Sequence, residues 1–143
     1  MAGGCACGRI RFIAQVDSDD AYLCHSRMCQ RATGSISIAF VGIEKANVRW
    51  ETPPDYYVSS QIARRPYCRE CGTSLGFEFP DSNTMDLTVA SFDDPSRFRP
   101  RHHFATESMQ AVWLDTSDLN RIRTEENSNV VERWMKAAGK LPD

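Results

Sequence analysis

Two stretches of sequence decide the fold: CAC at residues 5–7 and CRECG at residues 68–72. Cysteine pairs at this spacing are typical of zinc sites, because one Zn²⁺ ion takes four sulfur ligands in a tetrahedron. The glycine that ends the second stretch lets the backbone bend tightly around the metal. One structural zinc ion would therefore join two distant segments of the chain. Its predicted ligands are Cys5, Cys7, Cys68 and Cys71.

The paired cysteines could instead form disulfides, a redox-active C-x-x-C motif, or buried free thiols that act as small apolar side chains. The N-terminal sequence lacks the basic and apolar segments of a secretory signal. We therefore expect a cytoplasmic protein, in which thiols stay reduced and metal binding is favoured over disulfides. A thioredoxin-like redox motif would need a βαβ context, which the sequence does not indicate.

The composition is that of an ordinary globular domain. The chain has 143 residues, of which 41% are apolar and 25% charged. Its 17 basic and 19 acidic side chains give a net charge of −2, so charge provides no argument for binding nucleic acid or an anionic membrane. No apolar run approaches the ~20 residues that a membrane-spanning helix needs. The sequence gives no basis for an oligomeric state.

Short segments of alternating polarity dominate the first hundred residues and are separated by turn-forming residues. This pattern predicts a mainly β fold of short antiparallel strands. The predicted strands are residues 9–14, 35–41, 48–50, 75–79 and 86–91, with weaker candidates at 103–106 and 111–114.

The end of the chain has a different character. Apolar residues return there at helical spacing and predict a C-terminal helix, with Ser128 or Asn129 at its start and Gly139 at its end. We expect this helix to pack on the sheet, the alternative being that it binds a partner. The predicted organisation is a domain over residues 1–115, followed by a linker and helix over residues 116–143.

Several motifs in a fixed order support a family resemblance. They are GGCACGRIRF at residues 3–12, CHSRMCQRATGS at 24–35, SS at 59–60, Arg65, CRECGT at 68–73, DDP at 93–95, and Pro100, His103, Phe104 and Trp113. Together they resemble the family of glutathione-dependent formaldehyde-activating enzymes and their centromere-protein-V-like relatives. The match extends over residues 3–115, which is most of the chain.

The resemblance implies a β-rich fold like that of the Mss4-type zinc proteins, with the structural zinc on the four cysteines named above. It also implies a second, catalytic zinc held by three cysteines of a C-x-C-x-x-C loop. Here the middle position of that loop is Ser26, so only Cys24 and Cys29 remain as thiolate ligands of a possible second zinc. A serine hydroxyl is a poor zinc ligand at neutral pH because it is not ionised. The alternative is a pair of thiols without metal.

The chemistry implied by the resemblance is the joining of an aldehyde to glutathione, or the reverse cleavage of a carbon–sulfur bond. A catalytic zinc with an open position would bind the thiol and favour its ionisation. Cys24, Cys29 and Ser26 would form the reactive site, and the partners would be glutathione or a similar thiol and an aldehyde. The competing hypothesis is a non-catalytic zinc module that binds another protein.

Three further side chains are candidates for substrate contacts. Arg31 follows the cysteine loop and could bind a carboxylate of glutathione, because a guanidinium group matches a carboxylate with two parallel hydrogen bonds. Arg65 is a second candidate for the same role. His103 falls on the family's histidine position, where a structural role in the hydrogen-bond network is the more common one. We expect His102 to be exposed.

Overall fold

The computed structural model describes residues 1–142, which contain ten strands and two α-helices. The strands are β1 (Ala2–Gly4), β2 (Arg11–Ala14), β3 (Asp20–Cys24), β4 (Ile38–Glu44), β5 (Val48–Trp50), β6 (Asp55–Val58), β7 (Arg64–Tyr67), β8 (Gly76–Glu78), β9 (Thr84–Thr88) and β10 (Arg99–Phe104). The helices are α1 (Arg27–Thr33) and α2 (Ser128–Ala138).

The strands form two sheets. One has three strands in the order β1-β2-β5, and the other has seven in the order β10-β3-β4-β9-β8-β7-β6. All neighbouring strands are antiparallel except β10, which lies parallel to β3. The prediction of a mainly β fold with a C-terminal helix is confirmed.

One apolar core lies between the two sheets and includes part of the predicted zinc site. Phe12 of β2 is fully buried and makes edge contacts with Trp50 and Phe92, each with ring centroids 5.3 Å apart. Cys5 and Cys68 belong to the same buried cluster. Burying a large apolar side chain stabilises a fold by about 1.5–3 kcal/mol. Because Cys5 and Cys68 pack in this core, the core alone gives the two cysteine segments a defined position.

The local hydrophobic pattern finds six of the ten strands, with errors at some ends, and misses β1, β3, β6 and β7. Strand β5 has the predicted bounds, and β10 begins earlier than the pattern predicts because its partner β3 extends it in parallel. The predicted strand at residues 111–114 is wrong. Ala111–Trp113 forms a 3-10 turn, in which Val112 and Trp113 are exposed and no neighbouring strand holds the backbone extended.

The chain divides into two compact units, residues 1–110 and the residues from Ala111 onward. Within the second unit, the side chain of Asn127 caps α2 by accepting a hydrogen bond from the backbone N–H of Val130 at 3.2 Å. The predicted caps Ser128 and Asn129 are therefore wrong by one and two positions. Gly139 ends the helix with a φ of 70°, as predicted.

The packing of α2 on the sheet stays a prediction. Neither α-helix has the length and apolar character that crossing a bilayer requires.

Truncating Phe12 tests the core. We expect Phe12→Ala to lower the free energy of unfolding by about 3–5 kcal/mol, because it leaves a cavity between the sheets. Ile13→Ala is the matched control, because Ile13 lies on the same strand with its side chain 37% exposed. Urea denaturation of both variants measures the difference. An equal loss in the control would contradict this description of the core.

Candidate metal centre and thiol pocket

Two tight turns carry the four cysteines of the predicted zinc site. The turn after β1 places Cys5 and Cys7, and Gly8 closes it with a φ of 79° and a hydrogen bond from its N–H to the Cys5 carbonyl at 3.0 Å. The turn after β7 is built in the same way. Gly72 has a φ of 75° and its N–H donates to the Cys68 carbonyl at 2.8 Å. In each turn, glycine supplies a left-handed conformation that other residues rarely adopt.

The two turns meet, and their four sulfur atoms lie within 4.8 Å of one another. The Cys5 and Cys7 sulfurs are 3.5 Å apart, and those of Cys7 and Cys68 are 3.7 Å apart. A tetrahedral zinc site with Zn–S bonds of about 2.3 Å has sulfurs about 3.8 Å apart, whereas a disulfide bond is about 2.05 Å long. All the cysteines are free. The four thiols fit a metal ion and not a pair of disulfides.

Contacts around the cysteines favour the ionised forms of Cys68 and Cys71. At Cys7 the backbone of Arg9 lowers the pKa, but the contact with Cys5, burial and the other two thiols outweigh it and raise the pKa to about 11. A hydrogen bond from Thr73, with nearby backbone N–H groups, lowers the pKa of Cys71 to about 5. Arg9 lies beside Cys68, and this contact raises the pKa of the guanidinium. Asp55 pairs with Arg9 and also with Arg69, at 3.1 Å from its Nε. The cation of Arg9 therefore offsets part of the negative charge that four thiolates would bring.

The second group of candidate residues lies in a separate buried cluster, where β3 leads into α1. Cys24 is the last residue of β3, and Ser26 is the N-cap of α1. The Ser26 hydroxyl oxygen accepts a hydrogen bond from the backbone N–H of Cys29 at 3.2 Å, and the Cys24 thiol donates to the same oxygen at 3.7 Å. Ser26 is therefore occupied by capping the helix.

Arg65 completes this group from β7. Its side chain is only 3% exposed, lies over the Phe77 ring at 5.0 Å from the centroid, and donates from Nη2 to Cys29 Sγ at 3.5 Å. The hydrogen bond from Cys24, followed by those from Ser26 and Arg65, lowers the pKa of Cys29 to about 5. The contact with Cys29, with burial, raises the pKa of Cys24 above its usual range.

A cavity of about 220 Å³ opens onto Cys24, Ser26 and Cys29. Arg65 also lines it, together with many apolar side chains. A neighbouring cavity of about 240 Å³ contains both Arg31 and Arg65. These two predicted carboxylate-binding residues therefore line one cavity next to that of the thiols. The apolar lining residues of the first cavity are Tyr22, Met28, Phe40, Ile62, Ala63, Phe77, Phe79 and Phe104.

The two histidines near this cavity contact each other rather than the thiols. His25 is fully buried, and its Nε2 is 2.9 Å from Nδ1 of His103. The buried amide of Gln30 donates to the His25 carbonyl at 2.9 Å and fixes the loop before α1. His103 thus joins a hydrogen-bond network, while His102 is exposed and stacks on Tyr22 with ring centroids 5.3 Å apart.

Comparison with known families agrees with the motifs and the fold. The family model described as glutathione-dependent formaldehyde-activating enzyme (GFA) matches residues 1–108, which include all six cysteines. The chain belongs to the GFA family. This family assignment confirms the resemblance, whereas the centromere-protein-V detail stays a prediction.

The individual proteins that match this GFA protein share only 31% and 18% sequence identity with it. An uncharacterized lyase of Schizosaccharomyces pombe (strain 972 / ATCC 24843) is 31% identical over 77 residues, which are 54% of this chain and 56% of the relative. The chain thus spans only about half the length of that curated relative. The crystal structure of a Rhodobacter sphaeroides protein superposes with a TM-score of 0.59 and 18% identity, covering 73% of this chain and 100% of the other. That similarity shows the fold.

The two candidate metal sites of this GFA protein differ in how well they fit an ion. Within residues 1–142, the only cluster of three or more cysteine, histidine or acidic ligand atoms is the one formed by the two glycine-closed turns. Cys24 and Cys29 thus have no third ligand of these types beside them, and the Ser26 hydroxyl is engaged by the helix. The first site fits a tetrahedral metal, whereas the second does not fit a catalytic zinc with three protein ligands.

Helix α1 is an element that the hydrophobic pattern does not predict, because it is only seven residues long. Its signals in the sequence are the two caps. Ser26 stands before it, and Gly34 ends it with a φ of 71°. These caps set the position of Cys29 relative to Cys24.

Removing the cap tests this role. Ser26→Ala should lower the free energy of unfolding by about 0.5–2 kcal/mol, because the N–H of Cys29 loses its partner. Ser26→Asp is the matched control and should retain most of the stability, because its carboxylate can cap the same N–H. Chemical denaturation measures both. An Ala variant as stable as the native protein would contradict the capping role.

Proposed function

We propose that this GFA protein is a zinc-binding carbon–sulfur lyase that acts on adducts of an aldehyde with glutathione or a similar thiol. The observation that carries the proposal is the pair of thiols, Cys24 and Cys29, at the floor of an apolar cavity beside two arginines, in a chain of this family. A cytoplasmic location suits the reaction, because thiols are kept reduced there.

The first metal site has a structural role in this proposal. Zinc bound by Cys5, Cys7, Cys68 and Cys71 would have no open position for substrate, because all four tetrahedral positions are taken by protein. It would hold the turn after β1 against the turn after β7. The reaction itself is assigned to the residues of the cavity.

The cavity residues would bind the two halves of such an adduct. Arg31 and Arg65 would bind the carboxylates of the thiol substrate, because guanidinium groups bind carboxylates strongly. The apolar walls would hold the aldehyde-derived carbon and exclude water. Cys29 Sγ would accept the hydroxyl proton of the adduct as the carbonyl forms, and Cys24 Sγ–H would protonate the departing sulfur.

The second candidate function is a non-catalytic zinc module that binds another protein. The observation that favours it is the engagement of Ser26 as a helix cap, which leaves two thiolates where the family resemblance implies three. This hypothesis predicts an intact fold and metal content without turnover of any aldehyde adduct.

Metal analysis tests the structural site. We expect about one zinc ion per chain, and we expect Cys68→Ala to lose it and to be largely unfolded. The apparent binding energy of structural zinc, about 10–16 kcal/mol in small peptides, rivals the stability of a whole domain. Cys24→Ser is the control that should keep the zinc. Ser26→Cys should raise the content to about two by supplying a third thiolate. Metal-free protein with disulfides between these cysteines would contradict the site.

Steady-state kinetics test the lyase proposal. We expect glutathione-dependent consumption of formaldehyde above the uncatalysed rate, and Arg31→Gln should raise the KM for glutathione about tenfold. That change corresponds to about 1.4 kcal/mol, in the range of one charged hydrogen bond. Arg101→Gln is the matched control at an exposed arginine of β10 and should change neither constant. Absence of turnover in the native protein and in Ser26→Cys would exclude the lyase and favour the binding module.

A further inference from the structure

Arg65 is a buried cation whose charge no carboxylate balances. Its Nε and Nη1 atoms are buried without a hydrogen-bond partner. None of the ion pairs within residues 1–142 includes it. Its hydrogen bond to another side chain goes to Cys29 Sγ, at 3.5 Å. Burying an unpaired charge is costly, so Arg65 stabilises the ionised form of the neighbouring sulfur.

The same contact disfavours a metal ion at Cys29. With only two thiolates, a divalent cation bound to this sulfur would leave the charge of the buried guanidinium group unbalanced, whereas a third thiolate, as in Ser26→Cys, would supply the missing negative charge. The Ser26 oxygen beside the pair already accepts the N–H of Cys29 and the thiol of Cys24. Arg65 therefore takes the place that a metal would otherwise have as the partner of the thiolate.

The space in front of Cys29 fits a small apolar molecule. The cavity of about 220 Å³ is lined mainly by apolar side chains, among them Tyr22, Phe40, Phe77 and Phe104. A one-carbon aldehyde would leave most of this space unfilled, since a single water molecule already takes about 30 Å³ of liquid volume. An aldehyde with an apolar chain of several carbons would contact more of the lining and bury more apolar surface.

We propose that Cys29, paired with Arg65 at the floor of this cavity, is a metal-independent nucleophile that captures small apolar aldehydes as covalent hemithioacetals. The thiolate sulfur forms a bond to the carbonyl carbon, and the π electrons of the carbonyl move to the oxygen. The oxygen takes a proton from solvent at the cavity mouth. No atom is oxidised or reduced, and the reaction is reversible.

This inference shares its cavity with the proposed lyase but does not require glutathione or turnover. A protein that captures aldehydes in this way could still lack lyase activity, and a lyase could act without any adduct on the protein. Binding of aldehyde in the absence of glutathione therefore separates the two proposals.

A homologous series of aldehydes tests the capture. Protein containing about one zinc is mixed with acetaldehyde, butanal or hexanal, each labelled with ¹³C at the carbonyl carbon, and the hemithioacetal is observed by NMR. Protection of Cys29 from iodoacetamide, assigned by peptide mapping, gives the affinity. We expect about fourfold tighter binding for each added methylene, because each buried methylene contributes about 0.8 kcal/mol. Equal affinities for the three aldehydes, or an adduct that forms only after a second equivalent of zinc is added, would overturn the proposal.

Variants assign the roles of the two residues. Cys29→Ser should abolish the hemithioacetal signal. Arg65→Met should move the midpoint of the pH profile of Cys29 alkylation up by about 1–3 units, because an opposite charge lowers a thiol pKa by about that much. Arg65→Lys should bring the midpoint back towards that of the native protein, and circular dichroism of each variant verifies folding. Arg101→Gln is the exposed control. An adduct that persists in Cys29→Ser, or equal midpoints in the native protein, Arg65→Met and Arg65→Lys, would refute the assignment.

Discussion

The convergence of four thiol groups from two distant turns is the contact on which the rest of the structure depends. Cys5 and Cys7 follow the first strand, whereas Cys68 and Cys71 follow the seventh, and the turns also touch directly where the Ala6 N–H donates to the Thr73 hydroxyl at 3.1 Å. The first turn follows β1 of the three-stranded sheet, and the second follows β7 of the seven-stranded sheet. A bound ion would therefore connect the two sheets through sulfur at the edge of their shared core.

The second thiol group shows how one substitution can change the chemistry of a site without changing its architecture. A cysteine in place of Ser26 would offer a thiolate, whereas serine offers a good helix cap and no charge. The helix holds Cys29 against Arg65, so a guanidinium group, rather than a third sulfur, becomes the neighbour of this thiol. The cavity above it keeps an apolar lining that suits an organic substrate.

Sequence alone could predict the four-cysteine cluster, the β class and the end of α2 at Gly139, because these depend on local spacing and on glycine stereochemistry. It could not predict that β10 runs parallel to β3, because that register depends on contacts between residues far apart in the chain. The burial of Arg65 was equally unpredictable. In the sequence it is one arginine of the adjacent pair 64–65, and only the pleat of β7 decides which of the two faces the core.

The parallel pairing of β3 with β10 has a consequence for how the chain reaches its native state. These strands are separated by most of the first unit, and their alignment brings Cys24 beside Phe104 at one end of the sheet. Pairings between such remote segments form slowly, because the entropy of closing a long loop is lost before the strand contacts can offset it. During synthesis, the side of the cavity that Phe104 lines would thus be completed only after β10 has left the ribosome. Until then, the thiols of Cys24 and Cys29 would be accessible to oxidants.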